Sequence, residues 1–331
     1  MKIQPMSKKH IPEVAEVLAD AFTAWRIKRR GKDAPRRLRN PECVLPYIEL
    51  EPNGCFIALD KKKIIGAIFT HVWGKMGWIG TFGVVPEYQS KGIGKDLMIK
   101  AINYLDRERN VTRLALETMA DSAENIGLYS KLGFKPAFQT MHLTKPISFS
   151  KEKENQLDTL LQTKSIELDY YSKEQNREDS LTRIRWLSSK IENGLDFTSE
   201  IELIDENNFG DTILLKQDGF IIALATCRTV SRHINYENPD LEIRIILIDF
   251  DIKDKEVFDI ILLACEKYGF ENNKEALRLR INSSYWLAFE YLLKSEFKLR
   301  GSLLRMIKFS EDIKSFDHQH EWIVLGFGLT M

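Results

Sequence analysis

Residues 89–94 read Gln89, Ser90, Lys91, Gly92, Ile93 and Gly94, with Lys95 behind them. They stand between a strand-like run at 78–85 and an amphipathic helical run at 95–105. A glycine turn at the start of a helix can bind an anion. Gly92 and Gly94 lack Cβ atoms, so the backbone can approach a ligand, and the unpaired N–H groups of the first helical turn point outward as donors. The natural guest is a diphosphate. A short Gly-x-Gly also reverses chains that bind nothing, so its meaning rests on the elements around it. Lys95 is followed by Asp96, not Ser or Thr, and the preceding spacing is wrong for a P-loop, which disfavours a nucleoside triphosphate.

Those elements alternate in type from the start. A strand at 2–4 leads into a helix on which Ile11, Val14, Val17, Leu18 and Phe22 recur at helical spacing. A basic, irregular stretch at 26–40 follows. Strands at 55–59 and 64–72 form a hairpin across Asp60 and three lysines, and a turn at 74–77 returns the chain as the strand at 78–85, which ends at Pro86. Beyond the loop, Leu97, Met98, Ala101, Ile102 and Leu105 make one apolar helix face. A strand at 112–117 comes next. Asp121 with Glu124 suggests a capping box for a helix carrying Ile126, Tyr129 and Leu132, which stops at Gly133 before a strand at 138–143. The polar stretch that follows reads as a linker with helical tendency.

The second half can be laid over the first at a shift of 163 positions. Ala101 meets Ala264, Leu114 meets Leu277, Leu116 meets Leu279 and Phe134 meets Phe297, and the strand, helix, strand order repeats at 276–281, 285–293 and 299–307. The loop at 89–94 falls on 252–257, which holds no glycine. The second copy should lack the phosphate turn.

Composition sets outer limits. With 331 residues, 44% of them hydrophobic, the chain can bury the cores of about two domains. Lys+Arg and Asp+Glu both number 48, which argues against a general nucleic-acid or membrane binder. No apolar leader opens the chain and no later run is long enough to span a bilayer, so a cytoplasmic location is expected. Cys43, Cys55, Cys227 and Cys265 are scattered with no ligand spacing, and are expected to be reduced and buried.

With the order strand, glycine loop, helix, strand, helix in place, residues 1–146 resemble the GNAT superfamily of acyl-CoA-dependent N-acyltransferases. The resemblance rests on VVPEYQSKGIGKDLM and on LYSKLGF at 128–134, similar to the family's two signatures at their usual separation. It implies an α/β fold class, an α+β mixed sheet, as two tandem GNAT-like domains: a catalytic acetyl-CoA-binding domain at 1–146, a linker at 147–164, and a degenerate copy at 165–331 with a C-terminal strand. The resemblance of the second half is at the level of the fold.

The family also supplies roles. Backbone N–H groups of Gln89, Ser90, Lys91, Gly92, Ile93, Gly94 and Lys95 would cradle the coenzyme A diphosphate. The main chain of Phe82, Gly83, Val84 and Val85 would pair with the pantetheine arm like an added strand, with Gly83 permitting a bulge. An N–H near Val84 would polarise the acyl oxygen. Tyr129 matches the family's usual acid, which protonates the leaving thiolate, and Glu117 matches a place where relatives carry a base acting through water. Ser122 stands where many relatives have Asn, and Asn125 follows one turn on, so both are assigned to the coenzyme. The implied activity is N-acetyl transfer from acetyl-CoA to a small-molecule or peptide amine, by direct attack in a ternary complex, with no metal. The alternative is a noncatalytic acyl-CoA-binding sensor or assembly module.

Two segments stay outside that assignment. The stretch at 26–40 holds Arg26, Lys28, Arg29, Arg30, Lys32, Arg36, Arg37 and Arg39 against Asp33 alone. It is read as a solvated face, against the sharper reading that it attracts an acidic acceptor, nucleic acid or the 3′-phosphate of the coenzyme. Near the end, His318 and His320 have too few companions for a metal site, while 322–327 is apolar enough for a last strand. No membrane partner is expected, nucleic acid is disfavoured, and a homodimer is open because duplication can replace one or build on it.

Overall fold

A computed structural model of the chain describes residues 1–331 except 32–33, 235–238, 253, 310–323 and 326–331. Among the described residues thirteen strands join in one continuous sheet. The first half contributes β1 (Lys2–Pro5), α1 (Ile11–Arg30), α2 (Pro41–Leu50), β2 (Phe56–Asp60), β3 (Lys63–Trp73), β4 (Met76–Val84), α3 (Ile93–Arg107), β5 (Arg113–Met119), α4 (Ala123–Lys131) and β6 (Lys135–Pro146). Then come α5 (Lys151–Lys164), β7 (Glu167–Tyr170), α6 (Arg177–Ile191), α7 (Thr198–Glu206), β8 (Gly210–Gln217), β9 (Phe220–Arg228), β10 (Asp240–Ile248), α8 (Lys255–Glu271), β11 (Ala276–Asn282), α9 (Trp286–Lys294), β12 (Lys298–Phe309) and β13 (Val324–Leu325). The mixed α/β class and the tandem layout follow from this order. Shifting β5, α4 and β6 by 163 positions reproduces the bounds of β11, α9 and β12.

Periodicity explains the match between sequence and elements. In α3 the buried side chains include Ile93, Leu97, Met98, Ala101 and Leu105, the one apolar face of its sequence, packed on β2, β3 and β4. Each large side chain buried there contributes about 1.5–3 kcal/mol. Two helices depart from the sequence expectation. α1 does not stop at the basic stretch but carries it helically to Arg30, and α2 forms despite Pro46 because Asn40 accepts from Glu42 N at its cap and Pro41 fills the first turn. The stretch expected as a linker is α5, whose Leu157 is buried and which packs on α8.

The sheet runs β1-β2-β3-β4-β5-β12-β6-β11-β10-β9-β8-β7. Its centre is an exchange. β12, the last long strand of the second half, pairs antiparallel with β5, while β6, the last strand of the first half, pairs antiparallel with β11. The two exchanged strands also pair with each other. Met306 of β12 accordingly sits in the core of the first half, and Leu143 of β6 in that of the second.

β4 and β5 are parallel but pair only from Met76↔Arg113 to Trp78↔Ala115. They then part, leaving one edge of β4 open from Ile79 onward while its other edge stays on β3 to Gly66↔Val84. The bulge in this strand lies at Gly80 and Thr81, where the β3 register jumps from Ile68 to Thr70, and not at Gly83. Gly83 has another use. A Cβ there would stand 3.0 Å from Ala21 and 3.2 Å from Leu18, so glycine lets α1 lie close on the strand.

In the second half β10 and β11 part in the same way, after Ile243↔Leu279. There the gap is taken. β13 pairs with β10 at Ile245 and Ile246 and lies against β11. Of the run 322–327 expected as a last strand, 324–325 pair as β13, while Trp322, His318 and His320 lie outside the described residues. All four cysteines are free and buried, with the Cys227 and Cys265 sulfurs 3.8 Å apart.

Candidate active site in the cleft between β4 and β5

The parting strands open a cleft of about 580 Å³, mouth included, lined by Phe22, Ile79, Gly80, Thr81, Phe82, Met98, Leu116, Glu117, Thr118, Met119, Asn125, Tyr129 and Leu303. It brings together four of the residues singled out in the sequence: Phe82, Glu117, Asn125 and Tyr129. Tyr129 is buried on α4, its ring edge-on to Phe134 at 6.4 Å. Burial pushes its phenol above the ordinary value of 10.0, so the hydroxyl stays protonated and can donate at neutral pH.

Glu117 is held harder than a strand-end carboxylate needs to be. Its side chain is fully buried, and Oε1 accepts from Arg305 at 2.6 Å and 3.3 Å and from the Thr140 hydroxyl. Oε2 is buried and meets no hydrogen-bond partner among the described residues. One oxygen is fixed and the other is left for a water or a ligand. Arg305 sits directly across from Glu117 in the β12–β5 register, and its guanidinium also lies 5.2 Å above the Trp78 ring. Arg305, Thr140 and Leu303 escaped the sequence reading. The available signal was a lone arginine inside the apolar run Leu303, Leu304, Met306, Ile307, the mark of a buried ion pair.

The glycine loop lies at the start of α3. Gly92 is the N-cap residue at φ +85°, with nothing within 4 Å of the place a Cβ would take, and no side chain caps the helix. Ser90 also has positive φ, at 60°. Gly94 is required for space, since a Cβ there would touch the Phe82 ring at 3.1 Å. Gln89 donates through Nε2 to Val84 O at 2.9 Å, tying the loop to the strand, and Lys91 and Lys95 are exposed. Lys91 Nζ lies 4.8 Å over the Tyr88 ring. Val84 and Val85 are buried, and Val85 N is spent on Ile65 O.

The aligned helix α8 begins differently. Asp254 accepts from Glu256 N, so a carboxylate of the chain itself occupies that helix start, and Lys164 pairs with both Asp254 and Glu256. Ser122, at the N-cap of α4, caps nothing with its side chain and does not line the cleft, whereas Asn125 does both line it and donate to Thr118 Oγ1 at 3.3 Å. The expected capping box at Asp121 and Glu124 is not made. Those carboxylates bind Arg29 and Lys28 instead, joining the end of α1 to the start of α4.

The basic stretch divides in two. Arg36 is neutralised at the surface by Glu16 and Asp20, but Arg26 and Arg39 turn inward and are buried. Among the described residues no cluster could hold a metal ion, and no helix is long and apolar enough to cross a membrane.

Comparison with known proteins agrees with this geometry. Residues 13–134 match the family described as "Acetyltransferase (GNAT) family". Mycothiol acetyltransferase of Nocardia farcinica is 32% identical over 94 residues, covering 26% of this chain and 31% of that one. N-alpha-acetyltransferase 30 of Xenopus laevis is 32% identical over 107 residues, covering 30% and 39%. The matched stretch thus spans less than half the length of either curated relative. Among solved structures, a putative acetyltransferase from Pyrococcus horikoshii superposes with a TM-score of 0.61 at 17% identity over 94% of this chain and 89% of its own. A tandem GNAT protein from the clavulanic acid biosynthesis pathway does so at 0.57 and 11% over 95% and 99%. At such identities the likeness is one of fold, and it extends over both halves.

Proposed function

We propose, from the match of residues 13–134 to the acetyltransferase (GNAT) family, that the protein transfers the acetyl group of acetyl-CoA to an amine by direct attack within a ternary complex. The observation that carries this is the open edge of β4 from Ile79 onward, facing Tyr129 and Glu117 and leading to an uncapped helix start.

Each part has a task. N–H groups of residues 89–95 receive the diphosphate with the positive end of α3 behind them. The main chain at the end of β4, Phe82 to Val84, takes the pantetheine arm beside Val85, whose N–H is held by Ile65 O, and an N–H near Val84 polarises the thioester oxygen. The amine nitrogen bonds to the carbonyl carbon as the C–S bond breaks. Tyr129 gives its proton to the thiolate, and the proton released by the ammonium passes through water to Glu117 Oε2. Asn125 stands where it can bond the coenzyme. The second half supplies β12, and with it Arg305 and Leu303, to a site whose chemistry lies in the first.

The test measures coenzyme A release from acetyl-CoA across a panel of amines, beside coenzyme binding by calorimetry. Replacing Gly92 by a bulky residue is expected to abolish coenzyme binding. Tyr129→Phe is expected to keep binding and lower kcat by about 100-fold or more. Unchanged turnover in Tyr129→Phe, or full binding with the bulky residue at 92, would overturn these roles. Coenzyme binding with no thiol release from any amine would make the protein an acyl-CoA-binding module instead.

A further inference from the structure

We propose that the acceptor is a primary amine on an apolar body that carries no second charge, bound on the face of the sheet opposite the donor; the inference rests on the acetyltransferase reading. The two faces of the cleft can be told apart residue by residue. A Cβ at Gly77 would meet Leu114 of β5 and Leu105 of α3, so Leu114 faces α3, and alternation along the strand puts Leu116 and Thr118 with it. Asn125 of α4 bonds Thr118, which places α4 and Tyr129 on that side too. Glu117 and Met119 therefore point the other way. Leu303 of β12 stands directly across from Met119 and shares its face. On β4 the same division holds. Phe82 lies against the first turn of α3, whereas a Cβ at Gly83 would meet Leu18 and Ala21 of α1, so Phe22 of α1 reaches the cleft from the Glu117 side.

That second face holds one charge in an apolar frame. Among the described residues lining the cleft, Glu117 is the one charged side chain, and Phe22, Met119 and Leu303 stand with it on this face. Its Oε1 is held by Arg305 and Thr140, which leaves Oε2 to accept from one ammonium through the water that carries the proton away. The carbon body of the amine meanwhile displaces water from the apolar walls. A second charge finds no such match. A carboxylate on the acceptor would lie beside Glu117 with no cation in the lining to receive it. Arg39 does not line the cleft and meets its wall through the Thr81 hydroxyl at 3.2 Å, and Lys28 and Arg29 are bound to Glu124 and Asp121. A second ammonium would be stripped of water against Leu303 or Phe22 without a carboxylate to replace it. Leu303 comes from the second half, so the strand exchange sets the choice of acceptor in a site whose chemistry lies in the first.

The test uses the full chain with acetyl-CoA and three acceptors on the same six-carbon chain: hexylamine, 1,6-diaminohexane and 6-aminohexanoate. Expected is a kcat/KM at least about 100-fold higher for hexylamine than for either charged analogue, since each of those must bury an unmatched charge. From ethylamine to butylamine kcat/KM should rise about three- to fourfold per methylene. Leu303→Ala should raise KM for hexylamine about tenfold without changing KM for acetyl-CoA, whereas Leu303→Met should stay close to the native chain. Phe22→Ala, on a different element, should act as Leu303→Ala does. Equal rates for the three acceptors, or a preference for the diamine or the amino acid, would overturn the apolar site and leave the acetyltransferase reading standing. Thiol release from no acceptor would instead overturn that reading. The face is then judged by calorimetry with coenzyme A present, where hexylamine should bind at least about tenfold tighter than its two analogues and lose that margin in Leu303→Ala. Equal binding of the three, or none, would sink the inference.

Discussion

Glu117 shows how one residue ties the two halves together. Its carboxylate stands on β5 of the first half and its guanidinium partner on β12 of the second, each buried, so neither charge is tolerable alone. Arg305→Met leaves a buried carboxylate without its counter-charge and is expected to cost about 3–5 kcal/mol of stability. Adding Glu117→Gln should return most of that loss while turnover stays low. Chemical denaturation of the two variants measures this, and a double variant no more stable than Arg305→Met would show that the pair is not the source of the cost. Tyr129, Glu117 and Asn125 were legible because they sit at fixed offsets from a motif. Arg305 was not, since a cross-strand partner 188 positions away leaves only its odd polarity as a trace.

At the scale of elements, α3 and α8 differ in whether a side chain fills the helix start. α3 begins at Gly92 with open donors, whereas α8 begins at Asp254, whose carboxylate already fills the place an outside anion would take. Periodicity made most elements readable, and turn chemistry placed the loop. It misplaced others for physical reasons: Pro46 hid α2, and the arginines that looked irregular continue α1 because charged side chains at helical spacing still find Asp121 and Glu124 to pair with. The bulge moved from Gly83 to Gly80–Thr81 because Gly83 is consumed by close packing with α1. Gly94→Val tests the loop itself. Its Cβ would press on Phe82, a wall of the cleft, so KM for acetyl-CoA should rise by about tenfold or more with kcat less affected. An unchanged KM would separate Phe82 from the donor site.

For the whole molecule, the repeat at 163 positions made the duplication visible, but no local pattern could reveal that the halves trade strands, because pairing across the sheet is decided by edges that meet only in the folded chain. Burial in the folded chain has a consequence for acid stability, and the trade has one for dissection. Three half-buried or buried histidines, His71, His142 and His233, are each pushed down to about 3, by burial first and by neighbouring arginines. Between the ordinary value of 6.5 and about 3 the unfolded chain holds protons that the folded one refuses, so stability rises with pH through that window and is lost as pH falls below 6.5. Unfolding followed from pH 7 to 4.5 should show uptake approaching about three protons, and pH-independent stability there would refute the burial of these rings. Dissection is the stricter test. A fragment of residues 1–164 keeps β6, whose partners β11 and β12 are gone, and exposes the edge of β5 that β12 covers. An open edge of this kind aggregates or seeks a strand. Either fragment made alone should be insoluble or self-associated, whereas 1–164 and 165–331 made together should recover a soluble one-to-one complex with the coenzyme A release of the full chain. A soluble, monomeric 1–164 with full activity would mean that the second half lends the site no strand it needs.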